Sequence, residues 1–375
     1  MVNHLGNWRN GELGNFITLK RGFDLPQQKR EDGQVPIFSS SGITGTHSTA
    51  MVNAPGVITG RYGTIGEVFY AAEDFWPLNT TLFVEDFHGN DAEFIYYFLK
   101  TLEWSKFTSA SAVPGINRNT VHKETVSLPD IETQRRIAST LSMLDEKIKT
   151  NTEINDNLEQ QAQSYFQELF VDNADPEWAI GTISDLGTVV GGSTPSKAKP
   201  EYYTESGIAW ITPKDLSINK SKFVSHGEND ITELGLKNSS AAIMPEGTVL
   251  FSSRAPIGYI AIAAGEVTTN QGFKSVVPKP EIGTPFVYFF LKNTLPVIEG
   301  MASGSTFKEV SGSTMKNVPA VIPDAETLAK FSDFCAPIFA QQRILEEQNQ
   351  SLATLRDNLL PKLMSGEIDV STVQL

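Results

Sequence analysis

The chain has 375 residues, 40% of them hydrophobic and 20% charged, with 29 Gly and 20 Pro. That length exceeds one ordinary core, and the composition is globular, neither disordered nor fibrous. The net charge of −14 is spread along the chain: 10 Lys/Arg against 14 Asp/Glu in residues 1–130, 4 against 8 in 131–172, 12 against 15 in 173–324, and 4 against 7 in 325–375. No segment is a basic domain, so a nucleic-acid interface here needs local clusters of cations, specific base contacts or basic partner subunits. No stretch approaches the roughly 18 apolar residues of a membrane span, and residues 1–8 lack the basic and apolar regions of a signal peptide. Cys335 is the single cysteine, which excludes an internal disulfide and any Cys-based zinc or iron–sulfur site within one chain. A cytoplasmic protein with no membrane association is expected.

In chain order, residues 1–130 read as a mainly β domain, with short apolar runs such as Gly56-Val-Ile-Thr and Gly66-Glu-Val-Phe-Tyr between turn signals. Phe94–Lys100 reads as a short helix packed on it. At 131–172 the period changes to a long helix whose seam is Ile137, Leu141, Leu144, Ile148, Asn151, Asn155, Leu158, Ala162, Tyr165 and Leu169, an unbroken 4-3-4-3 heptad spacing. Residues 173–324 return to β texture, as in Gly247-Thr-Val-Leu-Phe and Gly258-Tyr-Ile-Ala-Ile-Ala. A second long helix follows in 325–375, with the seam Phe331, Cys335, Ile338, Gln342, Leu345, Asn349, Leu352, Arg356, Leu359 and Leu363. Asp130 and Asp324, each after a proline, are the expected N-caps. Some forty residues make a helix of roughly 60 Å, too long for one small domain, so the two seams are expected to pack on each other. Asn155 and Asn349 hold equivalent seam positions, where a buried Asn fixes register at a cost in stability.

The chain is written twice. Phe94-Ile-Tyr-Tyr-Phe-Leu-Lys100 recurs as Phe286-Val-Tyr-Phe-Phe-Leu-Lys292, and Leu128-Pro-Asp-Ile-Glu-Thr133 as Ile322-Pro-Asp-Ala-Glu-Thr327. Arg61-Tyr-Gly-Thr-Ile-Gly66 matches Arg254-Ala-Pro-Ile-Gly258, Asn79-Thr-Thr-Leu-Phe matches Asn270-Gln-Gly-Phe-Lys274, and Trp8-Arg-Asn-Gly11 matches Trp178-Ala-Ile-Gly181. Five matches in the same order mark a tandem duplication.

Catalytic motifs are missing from this sequence. No two glycines are separated by one residue and no Gly-Lys pair occurs, so there is no dinucleotide-type or Walker A loop. No Asn-Pro-Pro-aromatic or Asp-Pro-Pro-aromatic tetrapeptide of an amino-methyltransferase is present, and the five histidines show no metal-ligand spacing. Pro129-Asp130 with Asp145-Glu-Lys147 mimics a nuclease pattern, but these residues lie along one predicted helix rather than on adjacent strands. No catalytic or metal residue is expected.

Two kinds of loop carry recognition chemistry. Arg61 and Arg254 follow strands, beside Thr59, Gly60, Ser252 and Ser253, where small residues let a phosphate approach backbone N–H groups; the alternative is a tight turn with an exposed arginine. Gly191-Gly-Ser-Thr-Pro-Ser-Lys-Ala-Lys199 clusters hydroxyls (Ser193, Thr194) with Lys197 and Lys199, and its counterpart Lys20-Arg21-Gly-Phe-Asp is also basic. Asn79, Asn270 and Gln271 carry amides able to read adenine edges. Lys214, Lys274, Arg118 and Lys308 complete the set of candidate DNA contacts.

Together, Gly191-Gly-Ser-Thr-Pro-Ser196, Ile211-Thr-Pro-Lys-Asp-Leu216, Asn270-Gln-Gly272, Gly304-Ser-Thr-Phe-Lys308, Pro129-Asp-Ile-Glu-Thr-Gln-Arg-Arg-Ile137 and Leu359-Leu-Pro-Lys-Leu-Met-Ser-Gly-Glu-Ile368 resemble the specificity subunit of type I restriction–modification systems, over essentially the whole chain. The resemblance implies an α+β fold: two tandem mainly-β target-recognition domains, each followed by a long helix, with the helices forming an antiparallel coiled coil. It also implies that each domain reads one half of a bipartite double-stranded DNA target. Methyltransferase subunits, two of them, would dock on the helices, and a motor–nuclease subunit can join. S-adenosylmethionine, ATP and Mg would be bound by those partners and no cofactor by this chain. The first domain departs from the pattern, having Phe38-Ser-Ser-Ser-Gly-Ile43 where a Thr-Pro-Lys-Asp segment is expected. The second helix also starts differently, at Asp324-Ala-Glu-Thr-Leu-Ala. Two other classes compete with this reading: an enzyme, a fused methyltransferase or nuclease, against which the missing motifs speak, and a duplicated β-domain module on a coiled-coil stalk that binds protein or carbohydrate.

Overall fold

A computed structural model describes residues 8–108, 114–304 and 308–373. The chain divides into two compact units, residues 1–148 with 350–375, and residues 149–349. The division cuts through both long helices, because each β domain shares its core with segments of both.

The first unit runs through β1 (Arg9–Glu12), β2 (Thr18–Arg21), β3 (Val35–Ser39), β4 (Gly42–His47), β5 (Gly56–Gly60), β6 (Val68–Ala71), β7 (Trp76–Pro77) and β8 (Thr81–Asp86). Helices α1 (Ala92–Lys100) and α2 (Arg118–His122) precede β9 (Thr125–Leu128) and the start of α3 (Ile131–Gln167). One sheet has the order β2-β8-β5-β6 and a second β4-β3-β7, while β9 returns antiparallel to β1 with Arg9 opposite Leu128. On β5 the alternation of a strand sends Val57 and Ile58 into different cores. Asp91 caps α1 by accepting from the Phe94 N–H at 2.9 Å. This helix then buries Phe94, Ile95, Phe98 and Leu99 in a cluster with Ile137, Leu141, Leu363 and Met364. Each such side chain contributes about 1.5–3 kcal/mol on burial.

The second unit comprises β10 (Ala179–Thr182), α4 (Ile183–Leu186), β11 (Gly187–Gly191), β12 (Tyr203–Thr204), β13 (Ile208–Ile211), α5 (Pro213–Ile218), β14 (Phe223–Val224), β15 (Asn229–Ile231) and α6 (Glu233–Lys237). It continues with β16 (Val249–Ser253), β17 (Ile257–Ala263), β18 (Thr268–Thr269), β19 (Lys274–Pro278), α7 (Thr284–Gly300), α8 (Gly312–Lys316), β20 (Pro319–Ile322) and the start of α9 (Ala325–Met364). Its sheets have the orders β11-β19-β16-β17-β14 and β12-β15-β13-β18, and β10 pairs antiparallel with β20. The duplication is visible in this topology. The order β2-β8-β5-β6 corresponds to β11-β19-β16-β17, and the second copy adds β14.

Both caps form as expected: Asp130 accepts from the Thr133 N–H at 2.9 Å and Asp324 from the Thr327 N–H at 2.8 Å. Every seam residue named above is buried or half-buried. In the second unit the two helical segments run antiparallel. Asn151 Nδ2 donates to Asn349 Oδ1 at 2.9 Å, Gln342 Nε2 to the Asn155 carbonyl at 3.2 Å, and Phe166 packs on Phe331 with ring centroids 5.8 Å apart. In the first unit Arg356 Nη1 donates to Asp145 Oδ1 at 2.5 Å, again with antiparallel segments. Asn349 therefore pairs with Asn151 rather than with Asn155, its equivalent in the repeat, because antiparallel packing brings together positions that duplication does not relate.

Candidate nucleic-acid interface

In the second unit three loops are stitched together. Gly192 lies so close to the next turn that a Cβ there would meet the Asn270 carbonyl oxygen at 1.9 Å, so the second glycine of the pair is required by backbone approach. The Ser193 N–H donates to the Thr269 carbonyl at 2.8 Å, and the Ser193 carbonyl accepts from Trp210 Nε1 at 3.0 Å. Tyr203 donates its hydroxyl to the Pro195 carbonyl at 2.6 Å, and the Thr194 hydroxyl bonds Gln271 Oε1. Asn270 Oδ1 accepts from the Gly272 N–H at 2.8 Å and pins its own turn. Ser193, Thr194, Asn270 and Gln271, chosen separately from the sequence, are thus neighbours.

Arg254 and Lys274 join this group through a carboxylate. Arg254 Nη1 lies 3.5 Å and Lys274 Nζ 3.8 Å from Glu309, whose backbone forms bridges with Arg254 and Ser303. Lys274 is largely buried and also donates to the Gln271 and Phe273 carbonyls at 3.4 and 3.3 Å. Burial, and then the neighbouring Arg254, hold its pKa below the usual lysine value despite Glu309. Lys274 therefore supports the Asn270–Gly272 turn from beneath.

Ser253 behaves differently from expectation. Its side chain is fully buried and donates to the Gly272 carbonyl at 3.1 Å, so it shapes the loop and presents nothing to a ligand. Ser252 likewise accepts from the Tyr259 N–H at 2.7 Å and donates to the Pro256 carbonyl at 2.9 Å. The Arg254 segment is thus a tight turn built by serines, with Ala255 at φ 51° and Gly258 at φ 95°, and it carries the half-buried arginine. Lys197 and Lys308 are exposed. Lys199 and Lys214 pair separately with Glu201 at 3.5 Å and Glu228 at 2.6 Å. Ser305, Thr306 and Phe307 of the Gly304–Lys308 motif lie outside the described residues.

The first unit repeats the plan with other side chains. Lys20 pairs with Glu85, Arg21 lies 3.8 Å from Asp24, and Asn79 donates to the same Asp24. Arg61 stacks its guanidinium 4.5 Å from the Tyr62 ring centroid, and its backbone N–H donates to the Thr80 carbonyl at 2.8 Å. Arg118 is exposed at the start of α2, four residues before His122, which accepts from the Leu19 N–H at 2.9 Å. Burial, then Arg118, keeps His122 below the usual histidine range. Sequence reasoning missed the carboxylates Asp24, Glu85 and Glu309. The signal available was only that each lies within a few residues of a chosen cation or opposite it on a strand.

The residues of the nuclease-like pattern have structural work. Asp145 accepts from the Tyr97 hydroxyl at 2.6 Å and from Arg356, all inside the first unit. Cys335 is buried in the helix seam, and burial pushes its thiol up to about 12. No helix among the described residues is long and apolar enough to cross a membrane.

Two tandem β units, each with a loop cluster of cations and amides beside a long helix, coincide with a known protein family. The family described as type I restriction modification DNA specificity domain matches residues 6–160 and again 176–355. This chain belongs to that family. It is 39% identical over 194 residues to the type I restriction enzyme MjaIX specificity subunit of Methanocaldococcus jannaschii, a match covering 49% of this chain and 45% of that protein. It is 30% identical over 385 residues to a type I specificity subunit of Mycoplasma pneumoniae, covering 96% of this chain and 97% of that one. The crystal structure of the type I restriction–modification S subunit from M. genitalium has the same fold, with a TM-score of 0.66 at 18% identity and 97% of each chain covered. These relatives are specificity subunits, the non-catalytic component of such systems.

Proposed function

We propose that this chain is the DNA-reading subunit of a type I restriction–modification complex, in which each β domain reads one half of an asymmetric, interrupted double-stranded target. The observation that carries this reading is the double family match on two units whose loops are not the same. Phe38–Thr46 and Ile208–Leu216 differ in sequence and in fold, the first lying in the strand pair β3–β4 and the second on β13 and α5. Two identical readers related by a two-fold axis would select a palindrome, whereas two unlike readers select unlike halves. In this reading Arg254, Arg61, Lys20, Arg21, Lys197, Lys308 and Arg118 serve phosphates, and the amides and hydroxyl of Asn79, Asn270, Gln271 and Thr194 supply base contacts.

The helices act as one antiparallel coiled coil that sets the spacing of the half-sites and docks two methyltransferase subunits. A motor–nuclease subunit joins through the same complex. S-adenosylmethionine, ATP and Mg belong to those partners, and the complex works in the cytoplasm. The test is to replace residues 173–324 with the second domain of another family member and to map methylated motifs. One half of the motif should change and the other persist. A palindromic or continuous motif would overturn the reading.

A further inference from the structure

Lys222 is a lysine that the DNA reading does not use, and it is the most enclosed cation of the second unit. Its side chain is 6% exposed. Its ammonium donates to Glu159 Oε2 at 2.6 Å, on α3, and to Gln342 Oε1 at 2.8 Å, on α9. Three aromatic rings surround it, with centroids at 3.7 Å for Phe339, 4.6 Å for Tyr288 and 5.2 Å for Phe289. The backbone is held as firmly. The Lys222 and Phe223 N–H groups donate to the Glu346 carboxylate at 2.7 and 3.0 Å, and the Lys222 carbonyl accepts from the Ile262 N–H at 2.7 Å. One residue thus ties the β14 edge of the sheet to both helices.

This node is absent from the duplicated framework. Among the described residues the corresponding sheet of the first unit ends at β6, with no strand in the place of β14, and the repeat partner of Gln342 is Ile148. The first unit ties its domain to both helices through other residues, Tyr97, Asp145 and Arg356, so the Lys222 cluster belongs to the second copy alone. Buried ion clusters also add little stability compared with apolar packing of the same volume, while they define one arrangement sharply, since any displacement leaves a charge unpaired in a dry site.

We infer that Lys222 is a positioning residue that fixes the orientation of the second β domain on its helical segments, and so sets how strictly the complex measures the gap between the two halves of its DNA target. The inference rests on the function proposed above. One base pair moves a half-site by about 3.4 Å along the duplex, a displacement that a rigid node resists and a loosened one absorbs.

The experiment uses the complete chain with its methyltransferase subunits, and a plasmid library carrying both half-sites at gaps one base pair shorter than, equal to and longer than the native gap. Two variants are compared with wild type. K222M/E159Q removes the two opposite charges together and keeps an acceptor for Lys292. Q342L removes one acceptor and places at that seam position a residue of the size of Ile148. Both should retain the half-site sequences, while methylation at the wrong gaps relative to the native gap rises about tenfold in K222M/E159Q and in the same direction in Q342L. Should K222M/E159Q fail to fold, Q342L decides alone. Wild-type stringency in a folded, methylating variant overturns the role of Lys222. If the wild-type complex methylates no two-part motif, the DNA reading falls and this inference with it.

Discussion

Among single residues, Arg254 and Glu309 give the clearest test of the interface. An arginine serving a phosphate contributes equally to every sequence. Arg254→Ala should therefore weaken cognate and non-cognate duplexes alike and lower the salt slope of log K by about one. If Arg254 reads a base, the loss should fall on one position and amount to about 1–3 kcal/mol. Glu309 lies 3.5 Å from Arg254 and 3.8 Å from Lys274, so its negative charge would compete with a phosphate for both cations. Glu309→Gln should raise affinity for non-cognate duplex and steepen its salt dependence, as read in a titration between 50 and 200 mM salt. A variant that binds as wild type at every salt would show that the pair is only a surface contact, the usual fate of exposed ion pairs. Lys222 makes a second, independent prediction. Burial, against the pull of Glu159, lowers its pKa to about 8, with Lys292 adding to the depression, Cys335 near it and Glu346 and Tyr288 packed on the same site. The unfolded chain then binds the proton more tightly than the folded one between pH 8 and the ordinary lysine value of about 10.4. The stability of wild type relative to Lys222→Met should consequently rise with pH across that window. Thermal melts at pH 8 and pH 10 compare the two, and a difference that stays flat or falls would show that burial does not dominate.

At the scale of the element, the long helices show how far a pattern reaches. The 4-3-4-3 spacing placed every seam residue on the packed face because a seven-residue repeat spans nearly two turns of 3.6 residues and so stays on one side of the helix. Which seam residues meet is a separate matter, since an antiparallel pair and a parallel pair share one pattern. Asn151 faces Asn349 at 2.9 Å, and Thr152 accepts from Asn349 Nδ2 at 3.3 Å. The double substitution Asn151→Leu with Asn349→Leu should raise the melting temperature of the chain, because an apolar pair replaces a polar one in the seam. It should also release the register, seen as mixed oligomers in size-exclusion chromatography with light scattering. A variant that is both more stable and strictly of wild-type oligomeric state would assign register to the flanking pair Asp145–Arg356 and to Gln342 instead.

At the scale of the whole molecule, the proposed spacing role of the helices is tested by lengthening them. One heptad inserted after Asn155 and another after Asn349 keeps the seam in phase and adds about 10 Å of helix, equivalent to about three base pairs of duplex. Methylome sequencing of the variant complex should return the same two half-sites with a longer gap. A single-residue insertion at either place rotates the seam and should abolish assembly with the methyltransferase subunits. An active heptad variant with an unchanged gap would reduce the helices to a docking surface.

The sequence by itself determined whatever depends on local period and on repetition. The duplication is read by matching one half of the sequence to the other, and the two β textures, the caps at Asp130 and Asp324, the seam positions and the resemblance of the Gly191–Ser196, Ile211–Leu216 and Asn270–Gly272 motifs are read from residues close along the chain. Tertiary structure decided which of the candidates share a site and what each can offer there. Ser253 turned inward because its strand ends beneath the Gly272 carbonyl, and the cations acquired carboxylate partners from other loops, Arg254 from Glu309 and Lys214 from Glu228. Lys222 gave no signal in the sequence at all. Its partners stand 63 and 120 residues away, and only folding brings an edge strand, two helices and three aromatic rings around one ammonium group. Local periodicity is written in neighbouring residues, whereas burial and charge pairing are set by contacts between distant ones.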